Sequence, residues 1–211
     1  MPSAVKGERI SREVLAEHQR DRILTAAVEV FAKRGYQGTT VDHLVAASHI
    51  GVGSFYEQFA NKEDCFLAVY ERVVVAGRQR LAAAVTTAAA WPEQLAAVLA
   101  ELLAIVEEEP FAARIALVEV QTAGPRALAQ HDRNLDEAAE LLRHGREHSR
   151  VPEELPATLE FATVGGLTWF LQQRIAAGET AGARELLGEV LEIVAEPYLG
   201  ERATAELAAR R

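Results

Sequence analysis

This chain of 211 residues lacks the features that mark several protein classes. Its one cysteine, Cys65, excludes an intramolecular disulfide and fits a reducing compartment. The longest uncharged stretch of its apolar C-terminal region, Phe161 to Gln173, is shorter than the about 20 apolar residues that span a bilayer. No charged-then-apolar leader opens the sequence, so we expect no secretory signal, no membrane span and a cytoplasmic protein.

β-Structure and repeats are also missing from the pattern. No alternation of apolar and polar residues of useful length occurs, and no repeat of solenoid period is evident. Apolar residues instead recur at helical spacing, and hydrophobic residues make up 49% of the chain. We therefore predict an all-α protein of about nine helices in one or two domains, with enough apolar content for a core.

Basic residues are outnumbered, and the formal net charge of -9 argues against nucleic acid when the chain is taken whole. The balance differs along the chain. Residues 1–62 hold eight Lys or Arg against seven Asp or Glu, whereas residues 63–211 hold fourteen against twenty-four. An acidic body beneath a near-neutral head repels phosphate except at the head, which favours one orientation on a polyanion.

Residues 40–62 carry two short apolar stripes at helical spacing. The first contains Val41, Leu44, Val45 and Ser48, and the second contains Val52, Phe55, Tyr56 and Phe59. Each stripe follows the i, i+3, i+4, i+7 rule, and only three residues separate them, so the second helix crosses the first sharply. This is the pattern of a helix-turn-helix, and it predicts sequence-directed DNA binding; the alternative is a helical hairpin in an all-α core.

The ends of these two helices carry residues suited to them. Thr40 can accept a hydrogen bond from an unpaired amide of the first helix, and Asp42 places negative charge at its start. His49, Ile50 and Gly51 form the turn, which needs one residue with positive φ. Glycine tolerates this conformation best, and histidine is enriched there among the other residues.

The stretch from about Asp21 to Tyr70 resembles the DNA-binding head of tetracycline-repressor (TetR) family regulators. An amphipathic helix ends in FAKRGYQGTTV, the helix-turn-helix follows, and SFYEQFANKED opens a long connecting helix. The match combines Phe31, Gly35, Thr39, Thr40, Phe55, Tyr56, Phe59, Lys62 and Glu63 in one order and spacing. The remaining residues are similar to the family only in helical character and length. The resemblance implies a regulator of transcription that forms a homodimer through helices eight and nine.

The exposed face of the second motif helix is the predicted reader of bases. Val52 offers an apolar contact to a thymine methyl, Ser54 a hydroxyl, and Glu57 an acceptor for a cytosine amino group. Gly53 and Gln58 lie on the same face. No arginine is present to hold a guanine, and many family members have Ser in place of Gly51 and a basic residue in place of Val52. For Glu57, the alternative is a solvated helix face.

Phosphate contacts are predicted at the helix starts. Thr40 and Lys62 each open a helix, where free amides and the helix dipole favour an anion, and Lys62 adds a cation. The resemblance implies that Thr39 and Tyr56 join them. For Tyr56, the alternative is packing with a hydrated hydroxyl.

The segment from His144 to His148 matches H-x-x-E-H, the inverted zinc-protease pattern, with Glu140 on the same helical face. Gly145 weakens a helix at this point, and no further ligand is evident downstream. We therefore predict a solvated, charged helix end and no metal.

The other helices are predicted from their stripes and end signals. The first core helix, with Ile23, Ala26, Ala27, Val30 and Phe31 on one face, ends at Gly35. Asn61 caps a bridging helix from Lys62 to about Ala90. Five more are predicted over Pro92 to Glu109, Phe111 to Thr122, Pro125 to about Ser149, Ala157 to Ala177 and Ala183 to Glu196.

Aromatic residues of the C-terminal part are interleaved with polar ones, as in a mainly apolar ligand cavity. We predict that Phe111, Arg114, Gln121 and Trp169 bind the ligand, the alternative being an ordinary core. Gly165 and Gly166 lie inside an apolar helix and cost it about 1 kcal/mol each relative to alanine. A second helix packed closely on them, from the same chain or a symmetry mate, would compensate.

These patterns divide the chain into a flexible arm or helical extension at 1–20, a helix-turn-helix DNA-binding domain at 21–66 and a ligand-binding and dimerisation domain at 67–211. We predict a cytoplasmic transcriptional repressor, not an enzyme, that needs no cofactor. It binds a palindromic, double-stranded DNA operator as a homodimer and is released by a small, largely apolar effector. The alternatives are an all-α metal-dependent hydrolase, supported only by the zinc pattern, and a helical adaptor that binds protein.

Overall fold

The computed structural model describes residues 12–85 and 90–209. Within these ranges the chain forms ten α-helices and no strand, which confirms the predicted all-α class. The helices are α1 (Arg12–Gly38), α2 (Val41–Ser48), α3 (Val52–Gln58), α4 (Lys62–Val85), α5 (Trp91–Glu108), α6 (Pro110–Leu117), α7 (Pro125–Arg143), α8 (Leu159–Ala177), α9 (Leu187–Leu199) and α10 (Glu201–Ala208). Short 3-10 segments cover Glu119–Thr122, His144–His148, Pro152–Glu154 and Ala183–Leu186.

The head is formed by α1, α2, α3 and the first half of α4. Their apolar faces meet in one core, because the helical spacing of the apolar residues gives each helix a single buried side. The largest fully buried side chains of this core are Ile23, Phe31, Leu44, Phe55, Phe66 and Tyr70. Burial of each such side chain stabilises the fold by on the order of 2 kcal/mol.

The body has a second core between α5, α8 and α9. Its buried residues include Leu99, Leu103, Val106, Leu171, Ile175, Leu191 and Val194. None of the helices in the described parts of the chain is long and apolar enough to cross a membrane.

The core of the head continues into the body. Ile115 of α6 and Val120, Ala123 and Ala127, which follow it, belong to the same buried cluster as Phe66. The connection between α6 and α7 therefore packs against α1 and α4, and the boundary predicted after residue 66 falls within a continuous core.

Several helix ends differ from the predicted ones. α6 ends at Leu117, and α7 ends at Arg143, each followed by a 3-10 segment. After α7 the backbone of Gly145 lies against an aromatic ring: a Cβ built there would be 2.4 Å from Cζ2 of Trp91. Close packing of this ring, which the sequence does not reveal, explains why position 145 is a glycine.

The start of α1 and the end of α4 adjoin parts of the chain that the structure does not describe. Residues 12–20 begin α1, whereas residues 1–11 of the predicted arm lie outside the described residues. α4 is described to Val85, and residues 86–89 of its predicted extension are likewise outside. The sequence does not predict α10, because Pro197 and Gly200 mark a helix end and the short segment after them has one large apolar residue, Leu207.

Candidate nucleic-acid interface

A break in the helical conformation of α1, at Gly35, directs the chain toward α2. Gly35 has φ 72° and ψ 159° inside α1, a conformation that glycine adopts without strain. The hydroxyl of Thr39 donates to the Gly35 carbonyl over 2.8 Å. The side chain of Thr39, for which the resemblance implies a phosphate contact, is buried and stabilises the break. The phosphate contact itself stays a prediction.

Thr40 caps α2, as its position predicts. Its Oγ1 accepts from the His43 N–H over 3.3 Å, and His43 Nδ1 accepts from the Thr40 N–H over 3.2 Å. This reciprocal pair is a capping box in which histidine takes the place usual for Glu or Gln. Thr40 itself remains exposed at the helix start, where an anion is favoured.

The turn between α2 and α3 takes its positive φ at His49. His49 has φ 53° and ψ 39°, whereas Gly51 has φ -66° and precedes α3 in an extended conformation. Among the described residues, His49 is the only non-glycine residue with positive φ. The turn therefore does not use the conformational freedom of Gly51.

Two arginines of α1 bind the carboxyl ends of the motif helices. Arg22 donates to the carbonyl of Ser48 over 2.9 Å. Arg20 donates to the carbonyl of Gln58 over 3.2 Å, and its guanidinium lies 4.5 Å from the centre of the Phe59 ring. Cations at these ends satisfy free carbonyls and favour the helix dipole. Sequence reasoning missed both residues, because their partners lie 26 and 38 residues away.

α3 turns one side to the core and the other to solvent. Phe55 and Phe59 are buried, whereas Val52 and Tyr56 are 47% and 54% exposed. The residues away from the core are Val52, Gly53, Ser54, Tyr56 and Glu57, of which Ser54 is half-buried. The predicted base-reading residues therefore share the outer side of a helix whose width fits a major groove.

Lys62 has partners within the protein. Its Nζ donates to the carbonyls of Tyr36 and Thr39 over 2.8 and 2.9 Å, and partial burial lowers the pKa of its ammonium. These bonds occupy two of its three N–H donors. The predicted phosphate contact of Lys62 is thus combined with a structural role that its position at a helix start does not indicate.

The four predicted ligand-binding residues do not enclose a cavity. Phe111, Gln121 and Trp169 are exposed, with Trp169 at 63%. The Nε of Arg114 donates to Oε1 of Glu119 over 2.9 Å. A closed cavity needs walls that are shielded from solvent, so these side chains do not form one in this structure.

Open pockets occur elsewhere. One, of about 560 Å³, lies between α1 and α2 and is lined by Asp21, Arg22, Thr25, Ala26, Glu29, Val30, Lys33, Arg34, Ala47, Ser48 and His49. Another, of about 360 Å³, lies on α9 at Glu192, Ile193, Glu196 and Pro197. Neither involves the predicted ligand-binding residues.

The segment with the zinc pattern is a 3-10 helix. With three residues per turn, His144 and His148 do not share a face. The His148 ring stacks on Trp91 with centroids 5.4 Å apart, and His144 Nδ1 lies 3.1 Å from the Leu141 carbonyl oxygen. The geometry that the zinc pattern requires is therefore missing, and no group of three metal-binding side chains occurs in the described ranges.

The head matches known regulators in sequence. Residues 23–69 match the model of bacterial regulatory proteins of the tetR family. The HTH-type transcriptional regulator QacR of Staphylococcus aureus is 40% identical over 50 residues, which are 24% of this chain and 27% of QacR. The chain thus matches only about a quarter of the length of this curated relative.

Solved structures extend the likeness to the whole fold. The fatty acid degradation regulator FadR of Bacillus halodurans superposes with a TM-score of 0.72 at 18% identity, over 89% of this chain and 97% of that one. FadR of Bacillus subtilis, solved in complex with stearoyl-CoA, gives a TM-score of 0.69 at 20% identity, over 86% and 99%. Residues 23–69 thus form a head of the type found in bacterial regulatory proteins of the tetR family, and most of the chain has the fold of these solved regulators.

Proposed function

We propose that this regulator is a ligand-responsive repressor that binds a palindromic operator as a homodimer and is released by a small, largely apolar effector. One observation carries the proposal: α3 buries Phe55 and Phe59 while its opposite side faces solvent. Arg20 and Arg22 of α1 fix the carboxyl ends of α3 and α2, so the exposed side is presented on a rigid support.

In the proposed complex, α3 lies in the major groove. Val52 contacts a thymine methyl, Ser54 donates or accepts at a base edge, and Glu57 accepts from a cytosine amino group. Because α3 contains no cation, the attraction to DNA comes from contacts to the backbone. Thr40, Tyr56 and the ammonium of Lys62 are the proposed phosphate contacts.

The outer surface of α8 and α9 is the proposed dimer interface. Phe161 and Trp169 of α8 and Ile193 of α9 are 67%, 63% and 65% exposed. A Cβ at Gly165 or Gly166 would meet nothing within 4 Å, which leaves the backbone of α8 open to another helix. Large exposed apolar side chains beside an open backbone suit close packing with the same helices of a second copy.

A symmetric dimer determines the form of the operator. Each protomer offers one α3, and two-fold symmetry in the protein is mirrored in its site as an imperfect palindrome. The half-sites are expected about 10 bp apart, or a multiple of that distance, so that both α3 helices face the same side of the duplex.

The effector is proposed to bind among the helices of the body. The stearoyl-CoA in the FadR structure of Bacillus subtilis supports an effector with a long acyl chain. Leu103, Leu171 and Leu191 make the core between α5, α8 and α9 apolar enough for such a chain. The predicted residues Phe111 and Trp169 are exposed, whereas these leucines are buried. Entry of a ligand into this core therefore requires the helices to separate.

Selection of bound sequences from random duplex DNA tests the proposed operator. The expected result is enrichment of a two-fold symmetric motif bound by two chains. Enrichment of one asymmetric site bound by a single chain would contradict it. Calorimetric titration with stearoyl-CoA, with coenzyme A as the control, then tests release.

Release requires that stearoyl-CoA favour the conformation that fits the operator less well. A tenfold loss of DNA affinity corresponds to about 1.4 kcal/mol of that preference. By linkage, the selected duplex must weaken stearoyl-CoA binding by the same factor. Equal affinities with and without the duplex would exclude this effector and leave DNA binding itself untouched.

A further inference from the structure

A series of polar contacts runs from the body to the break in α1. Arg114 of α6 donates through Nη1 to the Ile175 carbonyl of α8 over 3.5 Å and through Nε to Oε1 of Glu119 over 2.9 Å. The other carboxylate oxygen, Oε2, accepts the backbone N–H of Tyr36 over 2.8 Å. The carboxylate of Glu119 therefore joins the head directly to the body.

The peptide groups of Tyr36 are held from two sides. Its N–H donates to Glu119, while its carbonyl accepts from Lys62 of α4 over 2.8 Å. Tyr36 follows the positive φ of Gly35 and lies four residues before Thr40, the cap of α2. The direction in which α2 leaves α1 thus depends on a residue bound both to α4 and to the body.

Burial distinguishes this contact from other links between head and body. Glu119 is 4% exposed, and a Cβ at position 35 would lie 3.3 Å from its Oε2, which is a tight contact. The ion pair of Arg126 with Asp64 also joins body to head, but its side chains are 60% and 28% exposed. A buried carboxylate depends far more on its partners than an exposed one does.

We propose that Glu119 is a positioning residue for DNA binding. Arg114 orients its carboxylate, which fixes Tyr36 and thereby the placement of α2 and α3. Movement of α6 or α8 shifts Arg114 and is passed through Glu119 to the head. This inference rests on the proposed function and supplies a route by which the state of the body reaches the DNA-binding surface.

Glu119→Gln is the informative variant, because it keeps the size of the side chain and removes the charge that pairs with Arg114. We expect the Tyr36 amide of the free protein to exchange at least about tenfold faster and affinity for the selected duplex to fall at least about tenfold. Amide exchange by NMR and fluorescence anisotropy measure the two effects. Arg114→Gln leaves Glu119 in place, and it should also raise the exchange rate of the Tyr36 amide and lower the affinity for the duplex.

Glu160→Gln is the matched control. Glu160 is a buried carboxylate of the body that accepts from Nε of Arg146 over 2.7 Å and from the Tyr198 hydroxyl over 3.1 Å. The Glu160→Gln variant tests a loss of stability alone. Its Tm is expected to fall, while the exchange rate of the Tyr36 amide and the DNA affinity change little. If Glu119→Gln alters both readouts no more than Glu160→Gln does, the inference is wrong.

Different results would overturn the proposed function and this inference, so the two failures can be told apart. If the wild-type protein selects no duplex, the proposed function is wrong, and the role of Glu119 in DNA binding is overturned with it. If the wild-type protein binds its duplex and Glu119→Gln binds equally well, only the inference is overturned.

Discussion

The ammonium of Lys62 lies 2.8 Å from the carbonyl oxygen of Tyr36 and 4.2 Å from the centre of the ring of the same residue. A single side chain of α4 therefore holds both the backbone and the ring at the break of α1. Because Lys62 also donates to the carbonyl of Thr39, its charge lies close to the start of α2. Lys62 therefore stabilises the head at the point where its phosphate contact is proposed.

Lys62→Ala should weaken binding to every duplex and reduce the salt dependence by about one counterion, because a phosphate contact carries no base information. It should also lower the free energy of unfolding by about 1–3 kcal/mol, since two carbonyls lose a charged donor. Anisotropy at several salt concentrations and denaturant unfolding measure the two effects.

Lys33→Ala is its control, because Lys33 is exposed and pairs on the surface with Glu29. The change in its free energy of unfolding should stay within about 0.5 kcal/mol. If Lys62→Ala instead changes sequence preference at an unaltered salt slope, Lys62 contacts bases and not phosphate.

Local features of the head were predictable from the sequence, because their causes lie within a few residues. The stripes of α2 and α3 follow from helical spacing, and the caps at Thr40 and Asn61 follow from side chains that reach amides two or three residues on. The chain also has few signals for strands, so an all-α class follows from its pattern.

The contacts between distant segments were not predictable in this way. Nothing near Arg22 indicates that it binds the end of α2, and nothing near Glu119 indicates that it reaches Tyr36, 83 residues away. The four residues predicted to bind a ligand do not enclose a cavity in this structure, for a related reason. Aromatic residues at helical spacing indicate a buried face or an interface equally well, and Trp169 lies exposed on α8.

Gly35→Ala should lower the free energy of unfolding by about 1–3 kcal/mol, because alanine is strained at φ 72°. The added Cβ would also lie 3.3 Å from Oε2 of Glu119. Gly77→Ala in α4 is the control: its Cβ would meet nothing within 4 Å. Since Gly77 lies inside a helix, we expect a gain of about 0.5–1 kcal/mol. Equal stability of the two variants in denaturant would contradict the strain at Gly35.

Stability should fall as the pH falls below about 6.5, in part through His131 of α7. Its ring is buried, with Nδ1 3.3 Å from the Tyr70 hydroxyl, and burial lowers the pKa of His131 despite the opposite effect of Asp132. The unfolded chain therefore binds this proton at a higher pH than the folded one does. The stability is fully present above the unfolded pKa and is lost as the pH falls toward the folded pKa.

Denaturant unfolding between about pH 5 and 7 measures this dependence. His131→Gln removes the titrating ring, so its free energy of unfolding should vary less with pH over that range. Parallel curves for the wild-type protein and the variant would assign the pH dependence to other groups.

Trp169→Glu should convert the proposed dimer to monomers, because it places a charge on the apolar surface of α8 that a second copy is expected to cover. Loss of the paired heads should then reduce affinity for a two-half-site duplex by at least about a hundredfold. Leu141→Glu on α7 is the control. Leu141 is 70% exposed and Trp169 is 63% exposed, but Leu141 lies outside α8 and α9. Sedimentation velocity should therefore find a monomer for the first variant and a dimer for the second. A Trp169→Glu protein that sediments as a dimer would place the interface elsewhere, because a buried glutamate without a partner is incompatible with a tightly packed apolar contact.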